Sequence, residues 1–202
     1  MNRAGPVLVA TRSAGKLREL AGILAEAGMT GVSLLDAGIE ESADENAIEC
    51  HETFEENALA KARYFARLTG LPAISDDSGL CVNALGGAPG VRSKRYSGRS
   101  DLTGQALDDA NNAKLIGELS GIDERSASYV CAAAYADEVL ERVELGETCG
   151  AITESPQGNE GFGYDPYFRS AELGVTFGEA STRDKQRVSH RGRAFRALLE
   201  SL

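Results

Sequence analysis

"LPAISDDSGLCVNALGGAPGVRS", residues 71–93, contains two apolar runs separated by adjacent carboxylates, Asp76 and Asp77. Each apolar run is typical of a buried strand, and the glycine-rich GGAPG follows the second. The pattern predicts that the acidic pair lies where the first strand ends. Because an unpaired charge is costly to bury, some group must compensate the two carboxylates.

Composition places the chain among ordinary globular proteins. It has 202 residues, of which 42% are hydrophobic and 26% are charged, enough for one domain or two lobes sharing a core. A formal net charge of −10 argues against broad binding of nucleic acids or anionic membranes, which need a positive face. We expect neither as a partner.

The sequence shows no sign of a membrane span, a signal peptide, a disulfide framework or a zinc site. No apolar stretch approaches the ~20 residues that span a bilayer, and residues 1–13 lack the long apolar region of a signal peptide. We therefore expect a cytoplasmic protein. The four cysteines show no CxxC or Cys/His spacing, which predicts free thiols and no zinc site.

The order of elements predicts a mixed sheet flanked by helices, in a single domain over residues 1–202. Apolar runs and alternation predict strands, and apolar residues at helical spacing with capping signals predict helices. The predicted strands are 6–11, the two runs on either side of Asp76-Asp77, and a hairpin of 126–136 and 138–147. The first predicted helix begins near residue 16 and ends before Gly28. Three more helices are predicted, at 53–68, at 105–119 and at the C-terminus. Residues 36–52 are expected to form a long loop.

Two lysines are candidate phosphate contacts. The loop TRSAGK, residues 11–16, leaves a strand and ends with Lys16 at a helix start, where backbone N–H groups and an ammonium favour an anion. The P-loop spacing is absent, so an ordinary turn with a solvated lysine is the alternative. Lys61 lies within a predicted helix one turn after Asn57, beside an apolar face. It faces either a cleft or solvent.

The acidic pair is a candidate magnesium site. Mg²⁺ is held by one or two carboxylates together with phosphate oxygens, and it would compensate the crowded charge at Asp76 and Asp77. A solvated turn is the alternative.

Further along the chain, Phe162 and Tyr164 offer rings that stack on a base, and Asp165 offers an acceptor. Basic residues cluster close to the C-terminus, namely Lys185, His190 and Arg191.

These motifs together resemble the inosine triphosphate pyrophosphatase family, the non-canonical purine nucleoside triphosphate pyrophosphatases. The resemblance covers essentially the whole chain in order, and it rests on TRSAGKLREL (11–20), ETFEENALAKAR (52–63), LPAISDDSGLCVNALGGAPGVRSKRYSG (71–98), GFGYDPYF (161–168) and SHRGRA (189–194). It implies hydrolysis of ITP, dITP and XTP to the monophosphate and pyrophosphate with Mg²⁺, by a homodimer. It also implies a mixed α/β fold of two lobes with the active cleft between them.

The resemblance assigns a role to each matching position. Asp77 is implied as the general base or metal-linked acid, Lys61 as a catalytic phosphate contact, and Glu49 with Asp77 as metal carboxylates. The implied substrate contacts are Thr11, Arg12, Ser13, Ala14, Gly15, Lys16, Ser78, Phe162, Gly163, Tyr164, Asp165, Lys185, His190 and Arg191. Two positions depart from the family pattern: Ser13 replaces an asparagine and His51 a glycine.

Two other functions remain open at this stage. A nucleotide-sensing module would use the same pocket without hydrolysis, although a pure binder gains little from crowded carboxylates beside phosphate. A phosphatase would release orthophosphate instead of pyrophosphate. Product analysis separates the three.

Overall fold

The computed structural model describes residues 5–202, apart from the side chain of Asn46. Residues 1–4, which belong to the segment predicted not to be a signal peptide, lie outside the described residues. The strands are β1 (Val7–Val9), β2 (Gly31–Ser33), β3 (Ala73–Val82), β4 (Ser126–Ala136), β5 (Glu141–Ile152) and β6 (Phe168–Ser170). The helices are α1 (Ala14–Glu26), α2 (Phe54–Thr69), α3 (Gly104–Glu118), α4 (Thr182–Val188) and α5 (His190–Ser201). Across residues 5–202, no helix has the length and apolar character needed to cross a membrane.

The strands form one mixed sheet in the order β2-β1-β3-β4-β5-β6. β1 pairs in parallel with both β2 and β3, whereas β5 and β6 are antiparallel. The predicted mixed sheet with flanking helices is therefore confirmed. The chain divides into two compact units: unit 1 comprises residues up to 77, 131–146 and 191–202, and unit 2 comprises 78–130 and 147–190.

In unit 1, the pleat of β4 gives the sheet two different apolar faces. Cys131, Ala133 and Tyr135 belong to a cluster with buried residues of α1 and α5. The alternate residues Ala132 and Ala134 belong to a second cluster with residues of α2. Successive side chains of a strand point to opposite faces, so α1 and α5 cover one face and α2 covers the other.

The predicted end of a strand at the acidic pair is wrong. β3 runs without interruption from Ala73 to Val82, and Asp76 and Asp77 lie in its middle. Ile74 packs in the cluster with α1 and α5, and Asp76, two residues later, points to the same face. Asp77 points to the face of α2. The two charges are thus separated by the pleat, and each has its own set of neighbours.

Four helices, α1, α2, α3 and α5, match the sequence-based expectations closely, whereas α4 was not predicted. Thr53 caps α2, its Oγ1 accepting the Glu56 N–H at 3.2 Å, and α1 is followed by Gly28 with a φ of 68°. On α5, Ala194, Phe195 and Leu198 are fully buried as predicted. All four cysteines are free thiols, as expected.

Short elements and boundaries were harder to predict. β2 and β6, three residues each, were not predicted. The segment 36–52, expected to be a loop, contains a 3₁₀ helix at Ala43–Ala47. The turn of the hairpin extends over residues 137–140, where the Asp137 N–H bonds to the Leu140 carbonyl at 3.0 Å, so β5 begins later than predicted.

Candidate active site

Asp76 lies at the centre of an ion-pair network in unit 1. Its Oδ2 is 3.0 Å from Lys16 Nζ of α1 and 3.0 Å from Arg191 Nε of α5. Arg191 also pairs with Glu19 of α1. Burial alone would raise the pKa of Asp76, but Lys16 and Arg191 outweigh it and hold that pKa well below its usual range. Asp76 is therefore a buried, ionised carboxylate.

Asp77 points to the face of α2 and has a different environment. The Asn57 amide donates to its Oδ2 at 2.9 Å, and both side chains are buried. Burial raises the pKa of Asp77, and the nearby ammonium groups of Lys16 and Lys61 only partly oppose this shift. A carboxylate whose affinity for a proton is increased suits a general base better than a fully ion-paired one.

Lys61 is buried on α2 and pairs with Glu49. Burial alone would lower the pKa of Lys61, but the carboxylates of Glu49, Asp76 and Asp77 reverse the shift and raise it. The lysine is therefore charged. The sequence allowed the Lys61 side chain to face either a cleft or solvent, and its burial excludes the solvent-facing orientation.

Asn57 connects this helix to the loop that carries Glu49. Its Oδ1 accepts the His51 N–H at 2.9 Å, and its amide donates to the His51 carbonyl at 3.3 Å. The side chain of His51 itself is exposed, and no described residue other than glycine has a positive φ. A non-glycine residue at position 51 thus fits without backbone strain.

The loop at residues 11–16 joins β1 to α1. Ser13 caps the helix, its Oγ accepting the Lys16 N–H at 3.4 Å, while Thr11 is buried and accepts the Ser13 N–H. Serine thus performs the capping for which asparagine is equally suited. The guanidinium of Arg12 bonds to Glu45 at 2.7 Å and to the carbonyls of residues 39 and 40. The Arg12 side chain thus connects the loop at residues 11–16 to the segment 39–45.

Unit 2 holds a second cluster, built around Asp165. Its Oδ2 accepts the Phe162 N–H at 2.7 Å and Lys185 Nζ at 2.6 Å. The Lys185 ammonium also lies 5.0 Å from the ring centroid of Phe162. A Cβ on Gly161, whose φ is 79°, would lie 2.0 Å from Asp165 Oδ2, so only glycine fits there. The loop 161–165 is thus folded around one carboxylate.

The two aromatic rings of this loop differ in exposure. Tyr164 is 4% exposed and packs in the core of unit 2, with its hydroxyl donating to the Ser93 carbonyl at 2.9 Å. Phe162 is half-buried. Phe162 is therefore the ring available for stacking on a base, and Tyr164 anchors the loop.

Two further predicted contacts also lie in unit 2. His190 is buried and stacks on Tyr129, with ring centroids 4.6 Å apart and planes 7° from parallel. Ser78 is half-buried in β3, directly after Asp77.

Comparison with known proteins agrees with these features. A sequence model described as the Ham1 family matches residues 7–201. The chain belongs to the Ham1 family. It is 47% identical to the dITP/XTP pyrophosphatase of Geobacter sulfurreducens and 45% identical to that of Ralstonia nicotianae, covering 97% of this chain and 96% of each relative. The Ham1 protein of Staphylococcus aureus has a similar structure, with a TM-score of 0.81, 30% identity and 97% of both chains covered. The family resemblance inferred from sequence is confirmed.

In this Ham1 chain the predicted site residues fall into two groups. Those in unit 1 with described contacts to one another are Lys16, Glu49, Lys61, Asp76, Asp77 and Arg191. Those in unit 2 are Ser78, Phe162, Gly163, Tyr164, Asp165, Lys185 and His190. Lys185 contacts the carboxylate of Asp165 and lies over the ring of Phe162.

Sequence reasoning about this Ham1 chain missed the role of Asn57. It is 1% exposed and joins Asp77 to the backbone of His51. The available signal was its position one turn before Lys61 on the same face of a helix. A polar side chain at that spacing, next to an apolar face, indicates a contact with the same site as the lysine.

Proposed function

We propose that the chain hydrolyses the non-canonical purine nucleoside triphosphates ITP, dITP and XTP to the monophosphate and pyrophosphate. Relatives 45% and 47% identical over nearly its full length carry the name dITP/XTP pyrophosphatase. The observation that carries the proposal is the group in unit 1 formed by Asp77, Lys16 and Lys61, a buried carboxylate beside two ammonium groups. Such a carboxylate can activate a water molecule for attack on phosphorus, and the two ammonium groups can bind the phosphates.

The triphosphate is bound by positive charge in unit 1. The first turn of α1 has backbone N–H groups with no partner inside the helix, and Ser13 caps only one of them. Lys16 stands in the same turn, and Lys61 supplies a second ammonium. Together they neutralise the polyphosphate so that a water molecule can approach the α-phosphorus.

Asp77 orients and deprotonates that water. Its pKa is raised by burial, which increases its basicity relative to an exposed aspartate. The Asn57 amide fixes the orientation of the carboxylate through its 2.9 Å bond to Oδ2. Asp76 does not compete for this role, because Lys16 and Arg191 keep it ionised and in ion pairs.

Glu49 and Asp77 are the residues that would hold Mg²⁺. The donor set fits a hard cation, because both groups are carboxylates and they lie close enough for the charge of Glu49 to act on Asp77. Within residues 5–202 no cluster of three or more metal-binding side chains occurs. The remaining ligands of Mg²⁺ would be oxygens of the substrate and of water. When bound, Mg²⁺ supplies charge that stabilises the pyrophosphate leaving group.

Unit 2 supplies base recognition in this proposal. Phe162 stacks on the purine, and the loop it belongs to offers polar groups for the edge of the base. A 6-oxo purine satisfies these groups, whereas a 6-amino purine leaves two hydrogen bonds unmet, each of which costs ~1–3 kcal/mol. We further propose that the enzyme acts as a homodimer, which rests on the family resemblance, and that it acts in the cytoplasm, as expected from the sequence.

The test is product analysis with purified protein, Mg²⁺ and a panel of ITP, XTP, GTP and ATP. We expect pyrophosphate and the monophosphate from ITP and XTP, with ATP hydrolysed ~10²-fold more slowly because two hydrogen bonds are unmet. Release of orthophosphate and the diphosphate would refute the position of cleavage. Binding without turnover would indicate a nucleotide-sensing module, and equal rates on ATP and ITP would remove the specificity for damaged purines.

Removing divalent metal is expected to abolish this activity. Without a cation, the carboxylates of Glu49 and Asp77 would repel the triphosphate, and the leaving group would lose its charge stabilisation. The measurement is pyrophosphate release after exhaustive chelation and again after adding excess Mg²⁺, with far-ultraviolet circular dichroism to confirm an intact fold. Full activity in the chelated protein would rule out the proposed role of the carboxylates as metal ligands.

A further inference from the structure

We propose that Asp108 and Asn112 are positioning residues that fix the base-recognition loop, an inference that rests on the proposed function. Both lie on α3, four residues apart and therefore on one face of the helix. Asp108 Oδ2 accepts the Gly163 N–H at 2.9 Å, and the Asn112 amide donates to the Gly163 carbonyl at 2.9 Å. We call this pair the Gly163 clamp.

The clamp acts on the backbone that sets the direction of the Phe162 ring. The Phe162 N–H is held by Asp165, and the next N–H along the chain, that of Gly163, is held by Asp108. These two peptide groups flank the Cα of Phe162. With both fixed, the φ and ψ angles of Phe162 are fixed, and so is the direction in which its side chain leaves the backbone.

Lys185 also holds the loop that carries the Phe162 ring. It contacts the Asp165 carboxylate and lies over the Phe162 ring, so it holds the loop from α4. The clamp holds the following peptide from α3. The stacking ring is therefore fixed from two helices.

The clamp contains features that a purely stabilising contact would avoid. Asn112 is 5% exposed, and its buried Oδ1 has no hydrogen-bond partner within residues 5–202. Burial raises the pKa of Asp108, and the hydrogen bond from the Gly163 N–H opposes this shift only in part. Both features reduce stability. Groups retained despite such a cost are characteristic of functional sites.

The prediction is that Asp108→Ala and Asn112→Ala impair base discrimination more than turnover. Each variant loses a hydrogen bond to the Gly163 peptide, so we expect the KM for ITP to rise ~10-fold while kcat changes by less than about twofold. The ratio of kcat/KM for ITP to that for ATP is expected to fall by a similar ~10-fold factor. The measurements are steady-state kinetics on both nucleotides.

Two further variants provide controls. Asp109→Ala removes the same charge from the next residue of α3, an exposed side chain bonded to Gln105, and should match the unaltered protein. Asp108→Asn keeps an oxygen that accepts the Gly163 N–H and should recover most of the discrimination. If all three alanine variants gave the same discrimination ratio, the positioning role would be refuted.

A second measurement separates this inference from the proposed function. Hydrogen exchange at the backbone amides of residues 161–165, followed without nucleotide, should accelerate in Asp108→Ala and Asn112→Ala and remain unchanged in Asp109→Ala. Unchanged exchange would refute the clamp even if the protein hydrolysed no triphosphate. Accelerated exchange with unchanged discrimination would also refute it. If the clamp governed exchange but ITP gave no pyrophosphate, the proposed function alone would fail.

Discussion

Replacing Asp77 by asparagine is expected to reduce kcat for ITP by ~10²–10⁴-fold, the usual contribution of a general base. Asparagine has the same shape but cannot accept a proton from water at neutral pH. Its Oδ1 can still accept the hydrogen bond from Asn57, which in the native protein is 2.9 Å long. The loss should therefore be one of chemistry, with the fold retained.

The adjacent carboxylate provides a matched control. Asp76→Asn is the same chemical change one residue earlier in β3, on the opposite face of the strand. It leaves Lys16 and Arg191 without the charge that both contact. We therefore expect Asp76→Asn to lower the thermal midpoint more than Asp77→Asn does, and Asp77→Asn to lower kcat more than Asp76→Asn does.

The two variants are compared by pyrophosphate release at saturating ITP and by thermal unfolding. Asp77→Asn should still bind ITP, because Glu49 and the ammonium groups of Lys16 and Lys61 remain. If Asp77→Asn retained more than a tenth of kcat, Asp77 would not be the general base. A loss of binding as large as the loss of kcat would instead indicate that its main role is to hold the cation.

Local sequence was sufficient for the long elements. Thr53 and Glu56 marked the beginning of α2, and the largely apolar run from residue 126 to 136 gave β4 its bounds. Both signals arise within a few residues and need no tertiary contact. β2 and β6 lack such a signal because three residues are too few for alternation to emerge, and they exist through pairing with β1 and β5.

The acidic pair shows why a correct local observation led to a wrong boundary. Two adjacent charges are unfavourable inside a strand if both must share one environment. In β3 they do not, because the pleat directs Asp76 towards Lys16 and Arg191 and directs Asp77 towards Asn57. The compensating groups sit on three different helices, so no window of local sequence contained them.

The same limit applies to both groups of site residues. Arg191 meets Asp76 across 115 positions of sequence, and Asn112 meets Gly163 across 51. The family resemblance indicated Arg191 as a site residue without giving its partner. Asp108 and Asn112 had no motif of their own, and their contacts with Gly163 became visible only in the folded chain.

Replacing Arg191 by methionine is expected to destabilise the protein by about 3 kcal/mol. Arg191 is 2% exposed and pairs with Asp76 and Glu19, which are carried by different elements. Removing one partner of a buried ion pair typically costs about 3–5 kcal/mol because a charge is left without compensation. The lower end applies here, since Lys16 still neutralises Asp76.

Thermal unfolding gives the measurement, and a loss of this size lowers Tm by roughly 6–12 °C in a chain of this length. The control is Arg18→Met on α1, which removes the same side chain from an exposed position. It should change the free energy of unfolding by less than about 0.5 kcal/mol. Equal midpoints for the two variants would contradict a structural role for Arg191.

The double variant Asp76→Asn/Arg191→Met tests the origin of the cost. If destabilisation comes from uncompensated charge, neutralising Asp76 as well should restore part of the loss, so the effects of the two changes are not additive. If it comes from lost packing, the two effects should add. Recovery in the double variant would show that Asp76 can lie inside β3 because Arg191 and Lys16 neutralise it, leaving Asp77 on the other face for chemistry.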